Sequence, residues 1–338
     1  MLLEISSQYF QVSNVREKVL EILDVDSVVK PHVVMVMGKG GVGKTTISIM
    51  LALIASSKFK TLIMSIDPAM HLIQYLGIMD VKGKIVNVKG NLWAYQLDLE
   101  STIRSLTESY AIHIRDLLPS LKVLNLDDVV DIVKNVPGLE EEVYMRSIHE
   151  ATTMNFEFII VDTPPTGITL RILTLPKLYT LWLERLIELR ERIVALRYVI
   201  ARTLYGEKEI KDRALEKLYK LREYYSTLEK LYTSQQHSSF ILVSNPEPVP
   251  YMETLNTIKH ITQNLNRKPK LLVMNKVLPE YEAKILNMKS IQEDILRNFC
   301  TLEAPKVVIM KTPKPPSTLT DIADLIDKIN TDYCLEIQ

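Results

Sequence analysis

One string, Gly38-Lys39-Gly40-Gly41-Val42-Gly43-Lys44-Thr45, constrains this chain more than any other. It follows the short Val-rich run HVVMVM (32–37) and leads into the helical stretch TTISIMLALIASS (45–57). The order is strand, tight loop, helix. The glycines let the backbone curl so that successive N–H groups converge on an anion, where a side chain would block the approach. The spacing satisfies GxxxxGK[ST] at every fixed position, which marks a phosphate-binding loop. Lys44 reaches the β- and γ-phosphates as a point charge, Thr45 offers a hydroxyl to Mg2+, and the following helix adds its positive N-terminal end. The nucleotide-binding candidates are therefore Gly38, Lys39, Gly40, Gly41, Val42, Gly43, Lys44, Thr45 and Thr46.

Further short runs rich in Val, Ile and Leu occur at 61–67, 85–98, 156–163, 238–245, 270–276 and 306–311. Continuous apolar strands separated by helices indicate a parallel sheet covered on both faces. The expected fold is α/β, a doubly wound, mostly parallel sheet of the P-loop NTPase kind. Residues 100–150 and 177–235 carry helical periodicity instead. We expect them to form a helical subdomain inserted into a P-loop domain made of 1–99, 151–176 and 236–338. In the second stretch Leu186, Leu189, Ile193, Leu196, Ile200 and Leu204 form one apolar stripe, and Ala214, Leu218, Leu221, Tyr225, Leu228 and Tyr232 form another. Packing of the stripes on each other and on the sheet is the main expectation. The alternative is a groove for a hydrophobic helix, built from Leu, Ile, Val and Tyr.

Composition excludes several classes. The 41 Lys and Arg cancel the 41 Asp and Glu, so no nucleic-acid partner is expected. No apolar run approaches the ~20 residues of a spanning helix, and the N-terminus lacks the basic-then-apolar order of a signal peptide. A cytoplasmic location follows as the default. The two cysteines, Cys300 and Cys334, have no CxxC partner. Separate thiols are expected, rather than a zinc site or an internal disulfide.

Lys39 is a second lysine directly after the first glycine, and the string GKGGVGKTT resembles the signature-lysine P-loop ATPases. Further segments narrow the resemblance to the arsenite-pump and tail-anchored-protein-targeting branch. SIDPAMHL (65–72) is similar to its switch I, DTPPTGITLRILTLP (162–176) to its switch II, and NVPGLEEE (135–142) to its PGIDE segment. VSNPEPVPYMET (243–254) and MNKVLPE (274–280) match its PE…ET and NxxxPE segments. The matches run in the family's order over roughly residues 33–325.

The resemblance implies roles. Asp67, at the end of an apolar run, would position the attacking water, and Lys39 would reach across a homodimer to the partner's nucleotide. Asp162 would hold Mg2+ through water, Asn275 would hydrogen-bond adenine, and Glu247 would approach the ribose or the partner subunit. Met70 and Ile168 stand where the family has His, and Pro164 stands where it has Ala. The stretch between Asn275 and Gln292 lacks the zinc-binding CxxC of the eukaryotic targeting enzyme. The implied activity is ATP hydrolysis with ATP and Mg2+, coupled to dimer closure over the hydrophobic helix of a client membrane protein. The alternatives are the catalytic subunit of an arsenite or other anion efflux pump, docked on a membrane partner, and a nucleotide-gated scaffold.

Overall fold

The computed structural model describes residues 15–78, 81–117, 138–205 and 212–337. Nine strands form one sheet in the order β3-β4-β2-β5-β1-β6-β7-β8-β9. They are β1 (His32–Met37), β2 (Thr61–Ser65), β3 (Ile85–Lys89), β4 (Leu92–Gln96), β5 (Phe158–Asp162), β6 (Ser238–Ser244), β7 (Leu271–Val277), β8 (Lys306–Met310) and β9 (Ile329–Asn330). The seven strands from β4 to β8 in that order run parallel, as the continuous apolar runs require. Both edges depart from the parallel pattern: β3 pairs antiparallel with β4, and β9 antiparallel with β8.

After a helical stretch over 15–23, the numbered helices are α1 (Lys44–Ser56), α2 (His71–Leu76), α3 (Leu99–Leu117), α4 (Leu139–Thr152), α5 (Thr166–Tyr205) and α6 (Arg213–Thr233). They continue with α7 (Pro248–Leu265), α8 (Glu280–Ile285), α9 (Lys289–Cys300), α10 (Leu319–Ile326) and α11 (Tyr333–Ile337). The strand period of two feeds a core on each face of the sheet. Val33, Met35 and Met37 join one core with α4, α6 and α9, whereas Val34 and Val36 join the other with α1 and α10. Within the range assigned to the helical insertion, α4 buries Val143, Tyr144, Met145 and Ile148 directly in the sheet's own core.

Helices α5 and α6 form the hairpin that the two stripes suggest, but four residues of the first stripe do not pack inward; Ile193 is half-buried, and the Leu204 side chain lies outside the described residues. Leu186, Leu189, Leu196 and Ile200 are exposed, as are Leu178, Leu181 and Trp182. Leu183 and Ile187 take the buried face instead. In the second stripe Ala214, Leu218 and Tyr225 are half-buried and Leu221, at the middle of α6, is exposed, while Leu228 and Tyr232 are fully buried at the base. A helix alternately apolar on two faces can bury only one of them against a single partner helix.

The cysteine expectation is overturned. Cys300 and Cys334 form a disulfide with Cα atoms 5.3 Å apart. Helix α9 ends at Cys300 on one face of the sheet. After β8 the chain crosses to the other face as α10, and then turns back through β9 along the sheet edge. That return sets α11, with Cys334, beside the end of α9.

Candidate nucleotide site

β1 lies between β5 and β6, and the chain leaves it toward β2 on one side and later fills β6, β7 and β8 on the other. Its carboxyl end is therefore a topological switch point, where such sheets bind ligands. Residues 38–43 occupy that point. A Cβ on Gly38 would sit 2.3 Å from the Val243 carbonyl oxygen, so only glycine lets the loop leave β1 beside β6. Gly43 has φ of 99°, and a Cβ there would meet the Asn275 amide nitrogen at 2.4 Å. Lys44 is buried, with its Nζ 3.4 Å from the Lys39 carbonyl, curled over the loop that its motif is expected to serve.

Asp162 ends β5 with no exposure. Its Oδ2 accepts from Thr45 Oγ1 at 2.7 Å and from Ser65 Oγ at 3.2 Å, while Ser48 Oγ lies 3.5 Å from Oδ1. Burial pushes its carboxyl up to about 6. The Thr45 hydrogen bond and the Lys44 charge pull it down, and the Asp67 charge adds to the rise. Its donors are neutral hydroxyls, so the carboxylate's charge is only weakly compensated, and a divalent cation suits it. The structure thus brings together Thr45 and Asp162, the two residues named for Mg2+, across 117 positions of sequence.

Asp67 follows β2 and is half-buried. Its Oδ1 accepts from the Ala69 N–H at 3.0 Å, and its own carbonyl accepts from Gln96 Nε2 at 3.0 Å. Gln96, fully buried at the end of β4, thereby fixes the backbone under Asp67. Sequence reasoning missed Gln96 because a neutral amide closing a strand, unlike a carboxylate, suggests neither metal binding nor water activation. Met70, where the family has His, takes a left-handed φ of 51° and starts α2.

The switch-II-like segment is pinned at three points. Thr163 Oγ1 donates to the Val36 carbonyl at 2.8 Å, Thr169 Oγ1 donates to the Pro164 carbonyl at 2.8 Å, and Arg171 pairs with Glu141 at 2.8 Å. Thr166, the first residue of α5, is buried, and its hydroxyl has no hydrogen-bond partner among the described residues. Glu141 and Glu142 belong to the PGIDE-like segment, whose residues 135–137 lie outside the described residues. Glu142 accepts from Tyr225 Oη at 2.9 Å, and burial raises its carboxyl.

Asn275 is buried, and its amide donates to the Val42 carbonyl at 2.9 Å. Glu247 is exposed and caps α7 through its backbone alone, its carbonyl accepting from the Tyr251 N–H at 3.1 Å. Lys39 sits half-buried at the rim beside exposed Gly40 and Gly41. The glycine cradle, the buried Thr45–Asp162 pair and the unpartnered Thr166 hydroxyl all fit a nucleotide triphosphate with Mg2+. In such a complex the metal supplies charge neutralisation at the phosphate oxygens.

The model of a family described as anion-transporting ATPase matches residues 31–313, most of the chain. The chain belongs to the anion-transporting ATPase family. As a member it is an ATP hydrolase. An ATPase ASNA1 homolog of Entamoeba dispar is 30% identical over 254 residues, covering 73% of this chain and 76% of the relative. A putative arsenical pump-driving ATPase 2 of Aquifex aeolicus is 28% identical, covering 72% and 79%. ATPase GET3B of Arabidopsis thaliana is 26% identical, covering 91% and 80%. The α/β sheet described above is the fold that the family assignment leads one to expect.

Proposed function

We propose that this ATPase acts as a cytoplasmic homodimer whose Mg2+–ATP state controls an apolar surface for the terminal helix of a client membrane protein. The observation that carries the reading is the continuity of α5. It begins at Thr166, four residues after Asp162, and runs for 40 residues to Tyr205 with Pro176 inside it. Its solvent side presents Leu178, Leu181, Trp182, Leu189, Leu196 and Val199, with Trp182 69% exposed. At 1.5 Å per residue the helix spans ~60 Å, and Pro176, which has no N–H for the helix ladder, stands between the phosphate end and that face, so a shift at the phosphate end reaches the face across this weakened turn. Exposed apolar residues in a contiguous patch mark an interaction site. Among the described residues no helix is long and apolar enough to cross a membrane.

In this reading Gly38–Thr46 hold the phosphates, Thr45 and Asp162 hold Mg2+, and Asp67 orients the attacking water. Lys39 reaches the partner's nucleotide, and Asn275 and Glu247 contact the base or ribose side. The helical extension is the 177–235 hairpin together with part of 100–150. An arsenite-pump role is less well supported, because Cys300 and Cys334 are the chain's only cysteines and are joined to each other, leaving no thiolate for As(III).

The test uses Asp67→Asn protein in Mg2+–ATP, expected to bind nucleotide and hydrolyse it slowly. It is mixed with a soluble protein ending in an apolar helix of ~20 residues, and with a charge-interrupted control. ATP-dependent capture of the first alone is the expected result. Absence of capture by a nucleotide-loaded dimer would sink the client reading and favour a pump or another partner.

A further inference from the structure

Lys276 carries no motif signal, yet its backbone and side chain are both diverted toward the phosphate loop. In the β7–β8 pair, Met274 aligns with Val308 and Val277 with Met310, so β7 takes three steps where β8 takes two. The extra residue makes a bulge at Asn275–Lys276, and bulges re-aim side chains beside functional sites. Lys276 also has φ of 58°, a left-handed conformation that an L-residue with a Cβ adopts at a cost. Its Nζ then donates to the Gly41 carbonyl at 2.7 Å, across 235 positions of sequence. The preceding residue, Asn275, donates to the next carbonyl of the loop, Val42, at 2.9 Å.

Two adjacent residues of one strand end thus grip two adjacent carbonyls of the loop. Across a trans peptide, the C=O of one residue and the N–H of the next point in opposite directions. With the Gly41 and Val42 carbonyls held outward, the N–H groups of Val42 and Gly43 are turned to the opposite, concave side. Two neighbouring N–H groups so oriented form an anion-binding nest. The loop glycines are free to adopt many other conformations, so this orientation must be held by something outside the loop.

We infer that Lys276 is a positioning residue for nucleotide binding, and that with Asn275 it presets two peptide planes of the phosphate loop before the nucleotide arrives. This rests on residues 38–45 being the phosphate loop. The interaction is present equally for bound ground state and transition state, so its loss acts mainly on affinity.

The test compares full-length wild-type protein with Lys276→Ala, Lys276→Gly, Lys276→Arg and Lys44→Ala. The readouts are the equilibrium affinity for N-methylanthraniloyl-ADP with Mg2+, KM and kcat for ATP, and the melting temperature. Lys276→Ala and Lys276→Gly are expected to weaken ADP binding and raise KM about tenfold, with a much smaller change in kcat. Lys276→Arg, which keeps a cationic donor, should recover most of the affinity. Lys276→Gly separates positioning from folding, because glycine relieves the left-handed strain and should melt no lower than wild type while binding as weakly as the alanine variant. Wild-type affinity in both Lys276→Ala and Lys276→Gly would overturn the inference, as would a loss of affinity that merely tracks a loss of melting temperature. Lys44→Ala shows which idea has failed. Lost binding there beside intact Lys276 variants removes the clamp alone, whereas unaltered binding in Lys44→Ala removes the phosphate-loop reading and the clamp with it.

Discussion

Breaking the Cys300–Cys334 bond tests the course of the whole C-terminal segment. The bond closes a loop with a sequence separation of 34. Loop-closure entropy for a ring of that size amounts to about 3.8 kcal/mol at 25 °C, all of it exerted on the unfolded chain. Unfolding entropy of about 2.1 cal/mol/K per residue, taken over the full 338 residues, converts this to a fall in melting temperature of about 5 °C. The assay is calorimetric melting with and without a phosphine reductant, repeated on the Cys300→Ser, Cys334→Ser double variant. That variant should melt near the reduced wild type and ignore the reductant. A thiol count on denatured protein completes it, with no reactive thiol before reduction and two after. Two reactive thiols in unreduced protein, or a melting temperature that reduction leaves unmoved, would refute the reasoning and return the cysteines to separate thiols.

Three further outcomes follow from the geometry. Gly43→Ala places a Cβ 2.4 Å from the Asn275 amide at φ of 99°. The left-handed strain and the displaced hydrogen bond together cost about 2–3 kcal/mol, so ATP affinity measured by titration calorimetry should fall about a hundredfold. Arg267 is buried over the Phe240 ring and donates to the carbonyls of Tyr232 and Ser238. Arg267→Met strands both carbonyls at the base of the hairpin and should lower urea-unfolding stability by about 3 kcal/mol, with ATP affinity retained. His32 is fully buried between the Gln236 carbonyl and Ser239 Oγ, and burial lowers its pKa from 6.5 to about 4. The unfolded chain therefore binds the extra proton between those values, and stability is lost as pH falls from 6.5 toward 4, by up to about 3 kcal/mol. Urea midpoints at pH 7 and 5 should diverge less in His32→Gln than in wild type.

Much of the fold is legible because its signals are local. Each run of Val, Ile and Leu from 32–37 to 306–311 supplies one strand, except that 85–98 supplies two, and two buried faces favour a parallel sheet. Of the two edges, only one leaves a trace in the sequence: the runs at 85–89 and 92–96 are too close for a crossover and must turn back, whereas Ile329–Asn330 is two residues long and has no period to read. Asp67 and Asp162 stood out because each closes an apolar run, and the sheet sets those ends on the phosphate-loop side. Gln96 and Lys276 did not stand out, since a buried amide and an exposed lysine are ordinary until their targets are known.

The sequence by itself determined the glycine loop between a strand and a helix, the α/β class, and the positions of Lys44, Thr45, Asp67 and Asp162. These depend on backbone freedom and on periodicities that span a few residues. Only the tertiary structure decided which face of α5 stays in water, that Cys300 meets Cys334, and that residues 275 and 276 hold the carbonyls of 42 and 41. Each of those contacts joins elements far apart in the chain. Its existence depends on strand order and on which faces the cores occupy, and no short window of sequence contains that information.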